Sequence, residues 1–235
     1  MDDVTQIYND NKLLVRAMDI PRLQRIENGL AYDCTTWTDE FNFMKNGTLS
    51  SASTTLVIPN VGVSTYKNIG FLINSDFANC FHIAKSDSCS NGDISRGDFH
   101  ANEPDFTSIE ELANYIIENN SITMNEVNII TTIDSVVGLF INKCQNQNRL
   151  IAMIYIVQQV LKQMLGIEYP IYVYDLNNGI IEKIEITPEL EEEIKSNLRT
   201  KNFYYWPEEY PEPVIDSLDN LKINLYKYKG VTLCK

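Results

Sequence analysis

Short runs in which apolar and polar residues alternate predict strands along most of the chain. Two of these runs carry unusual polar groups: residues 12–17 contain an arginine, and residues 49–58 are rich in Ser, Thr and β-branched side chains. The turn sequence Asn177-Asn178-Gly179 separates two alternating runs and predicts a hairpin. The other predicted strands are residues 68–74 paired with 80–84, then 125–130, 136–141, 169–174, 180–186, and two edge strands at 221–226 and 228–233.

Helical spacing and capping residues predict helices between these strands. Thr107 and Glu110 have capping-box spacing and begin a helix that runs to about residue 119. Pro21 and Gly29 suit the start and the end of a short helix, and Gly166 ends the clearest one. The other predicted helices are residues 35–46, 149–165 and 188–198, and the polar opening up to residue 11 is predicted to fray. Because strands and helices do not alternate regularly, the pattern indicates an α+β fold rather than a doubly wound parallel sheet.

A net charge of −13 limits the partners that this chain would attract. A field of that sign repels phosphate backbones and anionic membrane surfaces, so we expect neither nucleic-acid binding nor membrane insertion. The opening residues show no basic region followed by an apolar stretch, and the most apolar run, residues 150–157, is too short to span a bilayer. We therefore expect a soluble protein without a Sec-type signal. Its acidic surface is compatible with a basic protein partner, but such a surface is more often simply that of a soluble protein.

The five cysteines and two histidines do not form a metal or disulfide pattern. The cysteines are odd in number and include no Cys-x-x-Cys pair, which favours a reducing compartment. His82 and His100 are not at metal-ligand spacing, so no metal site is expected, and His82 lies on an apolar strand where a core histidine is typical. No GxGxxG follows a strand and no GxxxxGK[ST] occurs, which excludes Rossmann and P-loop nucleotide sites.

Three separated stretches place polar groups within apolar strands. The guanidinium of Arg16 needs partners there, and these are either a carboxylate and backbone carbonyls of the protein or the phosphate or ribose of a ligand. Ser53, Thr54 and Thr55 are either ordinary strand hydroxyls or groups that face a polar pocket. Glu126 begins a strand, then a short turn and a second apolar strand follow, and its carboxylate points either to solvent or into the same pocket. Each stretch alone has a structural explanation as good as the functional one.

Together, the three stretches resemble the mono-ADP-ribosyltransferase family, particularly its cholera-toxin-like and pertussis-toxin-like members. In that family the signatures occur in the order Arg, Ser-Thr-Ser/Thr, Glu. Here they are Lys-Leu-Leu-Val-Arg-Ala-Met-Asp at residues 12–19, Ser53-Thr54-Thr55, and Asn125-Glu126-Val127 followed by a turn and Val-Gly-Leu-Phe-Ile. The resemblance covers roughly residues 10–142.

The resemblance implies a fold and a setting. Residues 1–145 would form an ADP-ribosyltransferase-like split β-sandwich of two small packed sheets with the NAD cleft between them. Residues 146–235 would form a helix and hairpin extension packed on that domain. The family, the cysteine usage and the lack of an N-terminal signal together suggest a bacterial effector, secreted without a Sec signal into the cytosol of a host, or otherwise a cytoplasmic protein.

The resemblance also implies NAD as the substrate, without a metal, and a role for each site residue. Arg16 would bind the phosphate and ribose side of NAD. Ser53 would orient Glu126 and contact the nicotinamide ribose, and Glu126 would hydrogen-bond a hydroxyl of that ribose. A fixed carboxylate suits this chemistry, because cleavage of the nicotinamide bond creates positive charge at the ribose. The residues implied to contact NAD are Arg16, Asp19, Ser53, Thr54 and Thr55.

One departure from the family's pattern affects the acceptor. Members that modify arginine carry an acid or amide two residues before the catalytic Glu, where this chain has Met124. We therefore expect a host-protein acceptor other than arginine, and cysteine, glutamine, a hydroxyl or simple NAD hydrolysis stay open.

Two other functions also stay open at this point. One is a non-catalytic binding module that keeps the fold. The other is a cysteine-dependent hydrolase or deamidase that pairs Cys80 or Cys89 with His82 or His100. The long polar stretch at residues 86–104 is either an acceptor-recognition loop or a tolerated surface insertion.

Overall fold

The computed structural model describes residues 3–26, 29–47, 52–86, 104–119, 124–145 and 147–198. The two last predicted strands lie outside these residues, and so does the predicted loop at 86–104 except for its two end residues. In chain order the described elements are α1 (Asp3–Asn9), β1 (Leu13–Ala17), β2 (Arg22–Ile26), β3 (Gly29–Asp33), α2 (Thr35–Lys45), β4 (Ala52–Leu56), β5 (Ile69–Asn74), β6 (Ala78–Ala84), α3 (Ile109–Asn119), β7 (Glu126–Thr131), β8 (Val136–Asn142), α4 (Gln147–Leu165), β9 (Ile171–Asp175), β10 (Ile180–Ile184) and α5 (Pro188–Leu198).

Eight of these strands form one sheet in the order β10-β9-β8-β5-β1-β4-β7-β6, and β2 and β3 pair separately. Among the described strands only β8 and β9 run parallel, so the predicted α+β class is confirmed. The two small sheets that the resemblance implied are hydrogen-bonded into one. The reason lies in β4, which pairs with β1 through Thr55 and Leu56 and with β7 through residues 52–54.

The side chain of Asn125 completes the backbone hydrogen bonds where β4 leaves β7. Its Oδ1 accepts a 2.8 Å hydrogen bond from the Leu56 N–H, and its Nδ2 donates a 2.9 Å bond to the Leu56 carbonyl. The Thr55 hydroxyl donates to the Asn125 carbonyl at 3.3 Å. A side-chain amide thus replaces the peptide group of a neighbouring strand, and the buried backbone of Leu56 keeps both of its partners.

The opening of the chain is a helix rather than the frayed segment that its polarity predicts. Val4 and Tyr8 of α1 lie one turn apart and are buried in the core. The Tyr8 hydroxyl lies 2.7 Å from the Gly179 carbonyl oxygen and 3.0 Å from that of Ile58. The helix is therefore held by contacts with residues far along the chain, which its local composition does not record.

Two further predictions were wrong, the short helix between Pro21 and Gly29 and the pairing of the strands at 68–74 and 80–84. The segment after Pro21 forms the strand pair β2–β3, since Arg-Leu-Gln-Arg-Ile alternates with the period of a strand. The predicted strands 68–74 and 80–84 exist, but β5 lies between β1 and β8 while β6 pairs with β7. All six residues of β5 are buried, as suits a central strand, whereas the first four residues of β6 alternate in burial at the edge of the sheet.

The capping box of α3 forms one residue later than predicted. The Ser108 hydroxyl accepts a hydrogen bond from the Glu111 N–H at 3.2 Å. The Glu111 carboxylate accepts bonds from the Thr107 N–H and hydroxyl at 2.7 and 2.8 Å. These bonds hold the pKa of the Glu111 carboxyl below its usual range. The helix itself begins and ends close to the predicted positions.

The segment after residue 146 contributes two strands to the sheet. The predicted helix and hairpin are confirmed as α4 and as β9–β10, and Gly179 at the turn has a φ of +57°. Eleven of the nineteen residues of α4 are buried, so the helix lies between the sheet and α5 and connects β8 to its parallel neighbour β9. None of the described helices combines the length and the apolar composition that a membrane crossing needs.

We predict that Asp175 makes the stability of the β9–β10 hairpin depend on pH. Its carboxylate lies 2.9 Å from Lys143 Nζ and accepts a 3.0 Å bond from Asn178, which lowers its pKa to about 2. Because this value is below the unfolded one of about 3.9, the stabilisation is complete above the unfolded pKa and is lost as the pH falls towards 2. Urea unfolding of the wild type and of Asp175→Asn should differ most near neutral pH and converge towards pH 2. Parallel curves from pH 5 to 2 would contradict the prediction.

Candidate functional site

Arg16, Ser53 and Glu126 meet on three adjacent strands. Arg16 Nη1 donates a 3.0 Å hydrogen bond to the Ser53 carbonyl oxygen, and the Ser53 hydroxyl donates a 2.9 Å bond to Glu126 Oε1. The three residues come from β1, β4 and β7, which are neighbours in the sheet. Residues that the sequence separates by 37 and 73 positions therefore form one connected chain of polar contacts.

Arg16 is also paired with Glu40, a residue that the sequence analysis did not single out. Arg16 Nε lies 2.8 Å from Glu40 Oε1, and the side chains are 25% and 15% exposed. These two contacts use Nε and Nη1, and Nη2 has no hydrogen-bond partner among the described residues. The carboxylate that an arginine in an apolar strand requires is thus supplied by α2, while one edge of the guanidinium can still bind an anion.

Aromatic packing holds α2 where Glu40 reaches Arg16. The Phe41 ring packs against Phe71 of β5 with their centroids 5.1 Å apart, and the Trp37–Phe71 distance is 6.2 Å. Trp37 also donates from Nε1 to the Asp19 carbonyl at 2.8 Å. A rigid apolar contact on one face of the helix therefore fixes a carboxylate on another.

The carboxylate of Glu126 is buried, with only 2% of the residue exposed. It begins β7 and lies beside Ala84 of β6, while Ser53 reaches it from β4. A buried carboxylate needs hydrogen bonds, and Ser53 supplies one of them. Of the two positions that the sequence allowed, solvent or interior, Glu126 occupies the interior.

Thr54 and Thr55 have roles between strands in this structure. Both are buried, and the Thr54 hydroxyl donates a 2.7 Å bond to the Val127 carbonyl while that of Thr55 reaches Asn125. They tie β4 to β7 and so support the contact between Ser53 and Glu126. Asp19 makes no hydrogen bond to Arg16, Ser53 or Glu126 within the described residues, and its half-exposed carboxylate pairs with Lys67 at 2.7 Å.

Met124, Cys80 and His82 bear on the acceptor and on the alternative functions. Met124 is half-buried two residues before Glu126, and its side chain supplies no second acid beside that carboxylate. Burial raises the pKa of the Cys80 thiol to about 11, which keeps it protonated near neutral pH and disfavours it as a nucleophile. His82 is buried on β6, in agreement with a core histidine, whereas Cys89 and His100 lie outside the described residues.

Comparison of the sequence with known proteins assigns no family to the chain, and the described residues show no metal-binding group. No protein-family model matches the chain, and no curated protein matches it. Within the part of the chain that the structure describes, no group of three or more His, Cys, Asp or Glu side chains could hold a metal ion. The interpretation of the site therefore rests on its own residues.

Proposed function

We propose that the protein is an NAD-dependent mono-ADP-ribosyltransferase that modifies a protein of a host cell. One observation carries the proposal, namely the chain of contacts from Arg16 through Ser53 to Glu126. The three residues have the order and the strand contexts that the resemblance requires. Their hydrogen bonds agree with the roles that the resemblance implies. Ser53 orients the Glu126 carboxylate, and Arg16 binds the backbone of β4 at Ser53.

The buried carboxylate suits the bond that must break. When the bond between the nicotinamide nitrogen and the ribose carbon breaks, its electron pair goes to nicotinamide and positive charge develops on the ribose. A fixed negative charge stabilises that state more than the ground state, and more strongly in a dry site than in water. The acceptor's nucleophilic atom then bonds to the same ribose carbon and loses its proton. The products are nicotinamide, the ADP-ribosylated acceptor and a proton.

The residues around Glu126 also fit the remainder of NAD. Arg16 retains Nη2 for a phosphate oxygen or a ribose hydroxyl, and Glu40 with the Ser53 carbonyl holds the guanidinium in one orientation. Met124 offers no group that could activate an incoming guanidinium, so the proposed acceptor is not arginine. Cysteine, glutamine, a hydroxyl group or water stay as the alternatives.

The proposal is tested with NAD that carries one label on nicotinamide and another on the adenylate. Purified protein is incubated with this NAD, alone and with a eukaryotic cell lysate. We expect release of labelled nicotinamide and transfer of the adenylate label to protein, and release without transfer would identify NAD hydrolysis. The stability of the transferred label to hydroxylamine and to mercuric ion then separates the acceptor side chains. If the protein neither releases nicotinamide nor transfers the adenylate label, the proposal is overturned.

The same assay distinguishes the two other functions. Burial of Glu126 and the pairing of Arg16 with Glu40 would also suit a binding module, for which no nicotinamide is released under any condition. A cysteine-dependent hydrolase would lose its activity in Cys80→Ala or Cys89→Ala. In the proposed enzyme, both variants should release nicotinamide at the wild-type rate, because neither thiol takes part in the reaction.

A further inference from the structure

Asn128 carries a buried polar group that has no partner among the residues that the structure describes. The residue is only 3% exposed on β7, and its Nδ2 has no hydrogen-bond partner in the part of the chain that the structure describes. An unpaired buried N–H lowers stability, and most buried polar groups of native proteins are paired. An amide donor kept in this state is explained if its partner arrives with a ligand.

The position of Asn128 places it in the same site as Glu126. The two residues are two apart on β7, so their side chains point to the same face of the sheet. Asn128 is also the cross-strand partner of Ser53 on β4 and of His82 on β6. Since the Ser53 hydroxyl already reaches Glu126, the unpaired donor lies on the face that carries the proposed chemistry.

We infer that Asn128 is a positioning residue that donates a hydrogen bond from Nδ2 to an uncharged oxygen on the nicotinamide half of NAD. This inference rests on the proposed function. Glu126 can only accept hydrogen bonds while it is ionised, so a ligand's acceptor oxygen needs a separate donor. The two residues lie about 7 Å apart along the strand, a spacing that lets one ligand contact both.

The charge of Glu126 decides which oxygen Asn128 can take. A phosphate oxygen at this position would be repelled by the carboxylate at short range, and the dry surroundings strengthen that repulsion. A carboxamide or ribose oxygen carries no net charge and avoids it. Glu126 and Asn128 are both buried and lie on the same face of β7, so a ligand that contacts one lies beside the other.

Replacement of Asn128 by Leu separates a ligand contact from a structural one. Leu has the same branched arrangement of heavy atoms and removes the unpaired donor, so the melting temperature should stay unchanged or rise. The KM for NAD in nicotinamide release should rise about tenfold, because the ligand oxygen loses its donor. An asparagine that served the fold alone would show the opposite, with a lower melting temperature and an unchanged KM.

Asn142 provides the matched control. It is a buried asparagine of β8 in the same sheet, and its Oδ1 has no partner within the described residues. Its Nδ2 donor, however, already contacts Thr65 Oγ1 at 2.6 Å and Asn68 Oδ1 at 3.2 Å. Asn142→Leu should therefore lower the melting temperature and leave the KM for NAD unchanged. If Asn128→Leu does not fold, Asn128→Ser and Asn128→Ala replace it, and only Ser, which keeps a donor, should hold the KM within about threefold of the wild type.

The outcomes keep this inference apart from the proposed function. Wild-type protein that releases no nicotinamide overturns both. Wild-type turnover together with an unchanged KM in Asn128→Leu overturns the role of Asn128 and leaves the proposed function standing. A raised KM with an unchanged or higher melting temperature supports the role.

Discussion

Replacing Glu126 by Gln is expected to lower the rate of nicotinamide release by about two to three orders of magnitude. The amide has the same size, and its oxygen can still accept the hydrogen bond from the Ser53 hydroxyl. It has no negative charge, however, so it cannot stabilise the positive charge that develops on the ribose. The measurement is single-turnover release of labelled nicotinamide, which follows the bond-breaking step without product dissociation.

Glu118 provides the control for this substitution. It lies on the exposed face of α3, outside the contacts that connect Arg16, Ser53 and Glu126. Glu118→Gln makes the same chemical change and should leave the rate and the melting temperature unchanged. Equal rates for Glu126→Gln and the wild type would remove Glu126 from the reaction, even if the protein binds NAD.

Adding one methyl group at Gly70 is expected to destabilise the protein by about 3 kcal/mol and to displace the strand that carries Arg16. Gly70 lies on β5 between Ala17 of β1 and Phe140 of β8. A Cβ built there would lie 2.0 Å from the Arg16 carbonyl oxygen and 2.5 Å from Phe140 Cε1. The first neighbour is backbone, so β1 must move away, and Arg16 moves with it.

Gly166 separates the clash from the other effects of replacing a glycine. It has a φ of +73°, and no described heavy atom lies within 4 Å of an added Cβ. Gly166→Ala should therefore lose only the roughly 1 kcal/mol of a left-handed conformation. Urea unfolding measures both variants, and a loss at Gly70 no greater than at Gly166 would show that β5 and β1 separate easily.

Arg16 and Glu126 could be predicted from the sequence because each is a charged residue within or beside a short apolar run. Arg16 within an apolar run and Glu126 at the start of another are visible in a few residues. Glu40 has no comparable feature in its surrounding sequence. It is one of several charged residues on a helix, and only the packing of α2 against Phe71 selects it as the partner of Arg16.

Pairing partners were the less predictable part of the fold. The strands at β5 and β6 were found from their alternation, but alternation does not specify a neighbour, and the two lie on different parts of the sheet. The side chain of Asn125 is a similar case, since its bonds to Leu56 depend on β4 changing partners at that point. The helix α1 was missed because the contacts of Tyr8 lie 50 and 171 residues away.

The same long separations bear on how the protein refolds. Helices such as α3 and α4 can form from neighbouring residues, but the contact between Ser53 and Glu126 closes a segment of 73 residues, and β1 must enter between β4 and β5. Contacts of such high sequence separation form late and slow the folding of β-rich domains. Recovery of the site after denaturation should accordingly lag behind recovery of helical circular dichroism, with a loop-closure step as its kinetic limit.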